Sequence, residues 1–483
     1  MTHAPGIYIA EQDAFPNSIV GVPTAVPAFI GYTEKATSPN GTDVTRTLVR
    51  ITSHTQYEQY FGAAPPQHLS IDVEHHVDQA GATRGVHVTW TTPLGVPSCV
   101  LPYAIQLFFA NGGGTCLIYA LGAPTTPTLH DFTSAVTALE ANPEPTLLLF
   151  PDAVHLAPAD YAALVAAALA SAGRTQDRFV IADVPETSSD LATLASDFRA
   201  SLVTVNPSDR KYGAAYLPYL ETAIPLRTTA ESVTINAFTT VVLDGKGAIS
   251  ARTPVPQMSH QRLADIPATA PSYGANIQRA ITNFLAQATV TLPPSAAIAG
   301  VYATMDATRG VWKAPANVAL SAVRKPTIAM TTDQQGELNV DVTHGFSLNA
   351  IRVFIGQGTL VWGARTLDGN SSDWRYVSVR RFVTFVEQSI KLGLQALVFE
   401  RNEAATWTSV DLMISNFLTG LWRSGALAGS TARDAFSVQV GLGSTMTAQD
   451  VADGRMRVTV LLAVVRPAEF HVITLEQMMV AGT

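Results

Sequence analysis

Residues 360–393, LVWGARTLDGNSSDWRYVSVRRFVTFVEQSIKLG, constrain the fold more than any other stretch, because they set a short strand, a polar turn and a long amphipathic helix directly in succession. The helix is legible from its spacing. Phe382, Val383, Phe385, Val386, Ser389 and Ile390 fall near one face, while Arg380, Arg381, Glu387 and Lys391 lie toward its edges and far side. No recognisable catalytic constellation accompanies it, which points toward assembly rather than chemistry.

Composition bears on the same question. Of 483 residues 47% are hydrophobic, enough for sizeable cores in about two or three domains. Only 14% are charged, against roughly 25% in an ordinary soluble domain. A chain so short of charge has neutral and apolar surface to spare, which broad subunit interfaces would consume. The net charge of −8 gives no electrostatic footprint for nucleic acid. It is uneven: residues 350–483 hold 12 of the 30 Lys and Arg and 11 of the 38 Asp and Glu, leaving 18 against 27 elsewhere. The C-terminal part is therefore the better candidate to face an acidic partner. Cys99 and Cys116 are too few for a disulfide framework and read as reduced, cytoplasmic residues. No secretory signal is expected at the N-terminus, and no run approaches the roughly 18 apolar residues of a membrane span.

Organisation follows from local pattern. Residues 1–20, punctuated by Pro5, Gly6 and Pro16 around the extended run Ile7-Tyr8-Ile9, read as an arm with too little apolar surface for a core. Residues 63–102 are rich in Pro, Gly and polar side chains, with one strand expected at 87–91, and read as an insertion or surface loop. From Tyr103 onward, helical and strand-like runs alternate: a helix over 104–110 ending at Asn111-Gly112-Gly113-Gly114, strands over 115–121, 146–152 and 178–183, and an Ala-rich helix over 158–173. Such alternation implies a parallel or mixed sheet covered on both faces. The last stretch differs. Helices are expected over 379–392 and 407–424, the second with Val410, Met413, Ile414, Phe417, Leu418 and Leu421 on one face, and strands over 395–400, 435–440, 455–465 and 470–476. Two helices on a mostly antiparallel sheet is the economical packing.

Several residue groups resemble functional sites, and each has a plainer reading. Asp152 and Asp183 end apolar runs, where α/β sheets often place functional carboxylates, yet no serine or histidine motif accompanies them and helix capping or turn formation is favoured. The Gly112-Gly113-Gly114 turn lacks the lysine of a P-loop and the spacing of a dinucleotide fingerprint. Glu74, His75, His76 and Asp78 supply metal-ligand types, but consecutive histidines seldom converge on one centre. The stretch 368–373 imitates a calcium loop until its twelfth position, Val379, where a bidentate glutamate is needed. Met478 and Met479 read as packing residues. No catalytic residue, metal or cofactor is expected.

The segment 360–393 also resembles the C-terminal domain of contractile tail sheath proteins, in its WGARTL, WRYVSVRR and VEQSI runs. Further blocks similar to that family occur in its order: PGIYI at 5–9, GVPTAVPAFIGYT at 21–33, ANGGG at 110–114, PPSAAIAGVY at 293–302, RGVWKAPAN at 309–317, residues 436–443, MTAQD at 446–450 and VRPAEF at 465–470. The likeness is weakest over 63–100 and 221–271. It is nearest to sheaths of extracellular contractile injection systems, the phage-tail-like particles.

The resemblance implies a multi-domain α/β and α+β fold: an arm at 1–20, the N-terminal part of the sheath core at 21–62, the insertion at 63–102, a middle α/β domain of subtilisin-like outline at 103–335, and a C-terminal α+β sheath domain at 336–483 completed by the N-terminal segment. It implies a structural subunit that polymerises helically around an inner tube and contracts to drive that tube through a target envelope. Bacteriophage tail sheaths and type VI secretion sheaths, the latter usually split over two chains, are alternatives within that class; an α/β hydrolytic enzyme is the alternative outside it. Expected partners are further copies of the chain, an inner tube protein, baseplate and terminator cap proteins and a sheath paralogue, without nucleic acid or membrane insertion. The resemblance assigns inter-subunit strand linkage to both chain ends, here Gly6, Ile7, Tyr8, Ile9 and Ala10 and then Phe470, Val472, Ile473 and Leu475. It also places an inner-tube contact on a C-terminal helix, where Arg423 is the candidate. Assembly in the cytoplasm and release within a particle complete the expectation.

Overall fold

The computed structural model describes residues 18–266 and 274–467. By contacts these fall into two units: a larger one from Ala25–Thr308 and Pro315–Val377, and a smaller one from residues 18–24, Arg309–Ala314 and 378–467.

A nine-stranded sheet organises the larger unit. Its spatial order is Val318–Ala319, Gly358–Val361, Asn349–Phe354, Gly213–Leu217, Phe179–Asp183, Leu147–Leu149, Pro27–Gly31, Cys116–Ala120 and Leu48–Ile51. From Asn349–Phe354 to Cys116–Ala120 every neighbouring pair is parallel, and the outer pairings are antiparallel. Successive side chains of a strand point to opposite faces, and here both faces are apolar. Ala28, Ile30, Leu148, Val180 and Ala182 join one core with helices Leu129–Leu139, Pro158–Thr175 and Leu191–Ser201. Phe29, Leu147, Leu149, Phe179 and Ile181 join another with helices His54–Phe61, Leu101–Ala110 and Ser295–Arg309. This is the doubly covered sheet that the alternating runs imply.

Two boundaries differ from expectation. Residues 336–377, expected with the C-terminal domain, belong to the larger unit, because Asn349–Phe354 extends the nine-stranded sheet through its pairing with Gly213–Leu217. Residues 63–102 are not a loop: Leu69–Asp78 and Thr83–Trp90 form a hairpin, and the first of these strands also pairs in parallel with Val233–Leu243. Ile71, Val73, Val233, Ile235 and Phe238 make a separate small core with Ile277 and Ile281 of helix Ala275–Ala286. The two stretches least like the sheath family thus fold with each other.

In the smaller unit, helices Val377–Leu394 and Ala404–Arg423 accompany an antiparallel pair of strands, Phe436–Val440 and Val458–Leu462. Val410, Met413, Ile414 and Leu418 of the second helix bury the face expected of them. Ile19 and Val311, from two remote segments, enter the same core. The strand expected at 395–400 is absent: Gln395–Leu397 is a short 3-10 turn and Phe399 has φ +80. Among the described residues no strand pairs with this apolar run, and Val398 and Phe399 are exposed.

Candidate functional site

The carboxylates at the strand ends are fully committed to structure. Asp152 is 1% exposed and receives the backbone N–H groups of Tyr32 at 2.8 Å, Val100 at 2.5 Å and Leu101 at 3.2 Å. It thereby satisfies donors that the first turn of helix Leu101–Ala110 leaves without intrahelical acceptors. Asp183, 2% exposed, accepts both the N–H and the hydroxyl of Ser295 at 2.7 Å, at the start of helix Ser295–Arg309. Burial raises both carboxyls above their ordinary range, and Asp183 to about 7. A raised carboxyl in an α/β sheet is also what a catalytic acid shows. Here both groups are sealed from solvent, and the helix-capping reading accounts for every oxygen.

The histidine-bearing strand yields no ligand set. Glu74 and His76 lie on one face of Leu69–Asp78 and His75 on the other; His76 Nε2 stands 3.1 Å from Glu74, which also binds Arg252. No group of three His, Cys, Asp or Glu among the described residues could hold a metal ion. A groove of 480 Å³ between helices Leu191–Ser201 and Thr332–Asn339 is lined by Arg199, Glu337 and Asp341. Its strongest polar groups are spoken for: Arg199 donates to the carbonyls of Phe346, Glu337 and Leu338 at 2.9–3.1 Å, and Asp341 accepts from the N–H groups of Thr343, His344 and Phe346. The turn at 112–114 closes a helix, as its glycines suggest: Gly112 has φ +83, a conformation that favours glycine.

Surfaces suited to assembly lie in the smaller unit. The strands Phe436–Val440 and Val458–Leu462 pair over five positions and, among the described residues, with no third strand. Phe436, Val438, Val440, Val458, Val460 and Leu462 pack toward the helix core, whereas Gln439, Thr459 and Leu461 face solvent. A two-stranded sheet is marginal by itself and leaves a row of backbone donors and acceptors along its edges. The described chain both begins and ends in this unit. The proposed linking residues Gly6, Ile7, Tyr8, Ile9, Ala10, Phe470, Val472, Ile473 and Leu475 lie outside the described residues, as do Met478 and Met479.

Arg423 ends helix Ala404–Arg423 and is exposed, as a cation beside the helix's negative pole should be. Thr408, Leu412, Asn416 and Gly420 continue its exposed stripe, so a single charge marks an otherwise neutral face. Arg380 and Arg381 correct the helical reading. Expected at the edges and far side, they are 2% and 5% exposed. Arg380 binds Thr384 at 3.1 Å and Glu387 at 2.6 Å, and Arg381 donates to the Thr24 carbonyl at 2.9 Å. Partners supplied by the helix itself and by a segment more than 350 positions away make burial of these charges tolerable. That cross-chain packing was missed from the sequence; its one visible signal is the four-residue recurrence of Arg381, Phe385, Ser389 and Gly393.

Residues 370–477 match the family described as the phage tail sheath C-terminal domain. Solved structures resemble nearly the whole chain. A chain of the PVC sheath complex, an extracellular contractile injection system in its contracted state, is 28% identical, with 99% of this chain and 98% of that chain covered and a TM-score of 0.63. A chain of the anti-feeding prophage helical sheath in the contracted state is 28% identical, with 99% and 100% covered and a TM-score of 0.63. A chain from that particle's baseplate in the contracted state is 26% identical, with 99% of each covered and a TM-score of 0.65. No curated protein sequence matches the chain. No described helix is long and apolar enough to cross a membrane. A C-terminal sheet with no third strand among the described residues, carboxylates spent on capping, and likeness along the full chain agree: residues 370–477 match the tail sheath C-terminal domain, the whole chain is similar to sheath proteins of contractile injection systems, and it is a structural subunit of such a sheath.

Proposed function

We propose that many copies of this chain polymerise helically around an inner tube, and that contraction of the lattice drives the tube through a target cell envelope. Its solved relatives come from sheath and baseplate complexes of contractile particles, which supports helical self-association and baseplate contact. An inner tube protein, a terminator cap and a sheath paralogue are the further partners of this reading. The chain works without catalysis, cofactor or nucleotide: stored free energy resides in a metastable extended lattice that gives way to one with more buried interface. Assembly takes place in the cytoplasm and the finished particle is released.

The observation that carries the reading is the sheet at Phe436–Val440 and Val458–Leu462, which has only two strands among the described residues. Subunits of an open helix meet through heterologous contacts, and those contacts must persist while the lattice rearranges. Strand addition meets both needs, since an extended segment pairs with a sheet edge through its backbone. Residues 6–10 of one subunit and Phe470, Val472, Ile473 and Leu475 of another would extend the sheet. At about 0.5–1.5 kcal/mol net per hydrogen bond, a five-residue joint contributes roughly 2–7 kcal/mol. That is weak singly and strong when repeated along a lattice. Arg423 and its neutral stripe would face the tube, a grip light enough to release.

Deleting residues 1–15 tests the linkage, because it leaves Ile19 and every described core residue in place. The truncated chain should fold, show an unchanged far-UV circular dichroism spectrum and remain unassembled. Normal contractile tubes in negative-stain micrographs would refute strand donation by the arm.

A further inference from the structure

Residues 18–24 form a strap against helix Val377–Leu394, which touches them from four successive turns. Arg381 Nη2 donates to the Thr24 carbonyl at 2.9 Å. A Cβ on Gly21 would stand 2.9 Å from the Phe385 ring. Ser389 Oγ accepts the Val22 N–H at 3.1 Å and donates to the Phe385 carbonyl at 2.6 Å. A Cβ on Gly393 would stand 2.7 Å from Ile19 Cγ1. Arg381, Phe385, Ser389 and Gly393 recur every fourth position and so form one stripe along the helix.

The dimensions of strap and stripe agree. From position 381 to 393 a helix rises about 18 Å at roughly 1.5 Å per residue, and from 19 to 24 an extended chain spans about 17 Å at roughly 3.3 Å per residue. The strap is fixed at both ends of the stripe, Thr24 at Arg381 and Ile19 at Gly393. Ile19 and Ser389 are buried while Val20 faces solvent, so the strap is held by one side. Contacts strung along the direction of a chain share a pull along that chain; contacts loaded across it break in succession.

We propose that the Arg381–Phe385–Ser389–Gly393 stripe is the anchor that fixes where the N-terminal linking arm leaves its subunit and passes tension on that arm to the helix. Arg381, Ser389 and Gly393 are positioning residues: they touch no neighbouring subunit in this proposal and act through the strap. Gly393 has the sharpest role, since any side chain there displaces Ile19. The inference rests on the reading of residues 6–10 as a linking arm.

A disulfide between Ile19→Cys and Gly393→Cys tests it in the full chain. The Cβ built on Gly393 lies 3.3 Å from Ile19 Cβ, near the roughly 3.5–4.5 Å span of a disulfide, and Cys99 and Cys116 are buried away from competing reactions. Tube yield would be measured by sedimentation and negative-stain microscopy for the oxidised and the reduced staple, for Gly393→Val and for the chain lacking residues 1–15. The anchor requires the oxidised staple to yield at least as many tubes as its own reduced form. It also requires Gly393→Val, in material that circular dichroism shows to be folded, to yield at least tenfold fewer tubes than the unaltered chain. A staple that assembles only after reduction would show that the strap must leave the helix, and would overturn the anchor. So would a wild-type tube yield from Gly393→Val. Should that variant not fold, the staple decides alone. Wild-type tubes from the chain lacking residues 1–15 would instead remove the arm itself, whatever the staple does.

Discussion

Asparagine at position 183 should change how the stability of the larger unit depends on pH. Burial raises the Asp183 carboxyl to about 7, with the two Ser295 donors pulling the other way. An ordinary aspartate titrates near 3.9. Because the folded pKa lies above the unfolded one, the contribution to stability is fully present below about pH 4 and is lost as pH rises through about 7. Three units at about 1.36 kcal/mol each make that loss roughly 4 kcal/mol. Asp183→Asn keeps an acceptor for the Ser295 N–H and never ionises, so its unfolding should lack this slope. Urea unfolding followed by circular dichroism at pH 5 and pH 8 reads the difference: between these two pH values the wild type should lose more stability than the variant. Ser295→Ala removes the hydroxyl that favours the charged form, and its penalty of about 1.5–3 kcal/mol should appear at pH 8 and shrink at pH 5. Parallel pH profiles for the wild type and Asp183→Asn would refute the assignment of Asp183 as a buried cap of raised pKa.

Asp152→Ala leaves the buried N–H groups of Tyr32, Val100 and Leu101 without their acceptor, so at about 1–3 kcal/mol for each orphaned donor the larger unit should lose at least about 3 kcal/mol in denaturant; an unchanged midpoint would return Asp152 to the list of functional carboxylates. Arg423→Glu reverses the lone charge of the exposed stripe and should weaken co-sedimentation with inner tubes while sparing the fold. Since exposed charge pairs contribute only about 0.2–1 kcal/mol each and are screened by salt, the loss should be largest at low salt and shrink as salt is raised, and unchanged co-assembly at low salt would remove Arg423 from the tube face.

The α/β portion was legible because its signals are local. The runs at 115–121, 146–152 and 178–183 became Cys116–Ala120, Leu147–Leu149 and Phe179–Asp183, and the helix expected at 158–173 became Pro158–Thr175; in the smaller unit the helix expected at 407–424 became Ala404–Arg423. Asp152 and Asp183 were readable as capping or turn residues because no serine or histidine motif accompanies them, whereas the helix that Asp183 caps, at Ser295, lies 112 positions away and was not. The residues at 395–400 have strand-like composition, yet a strand exists only where another strand accepts it.

The sequence by itself determined what each segment could become: which faces are apolar, where helices start, which carboxylates stand at strand ends, and, through blocks such as WGARTL and RGVWKAPAN, which family the chain resembles. Only tertiary structure decided what lies beside what. It paired Leu69–Asp78 with Val233–Leu243 across the stretches least like the family, carried Asn349–Phe354 into the larger sheet, and buried Arg381 under the strap at 18–24. The physical reason is range. Periodicity, capping and turn chemistry act over a few residues, whereas strand order and the burial of a charge depend on partners hundreds of positions away, which local pattern cannot specify.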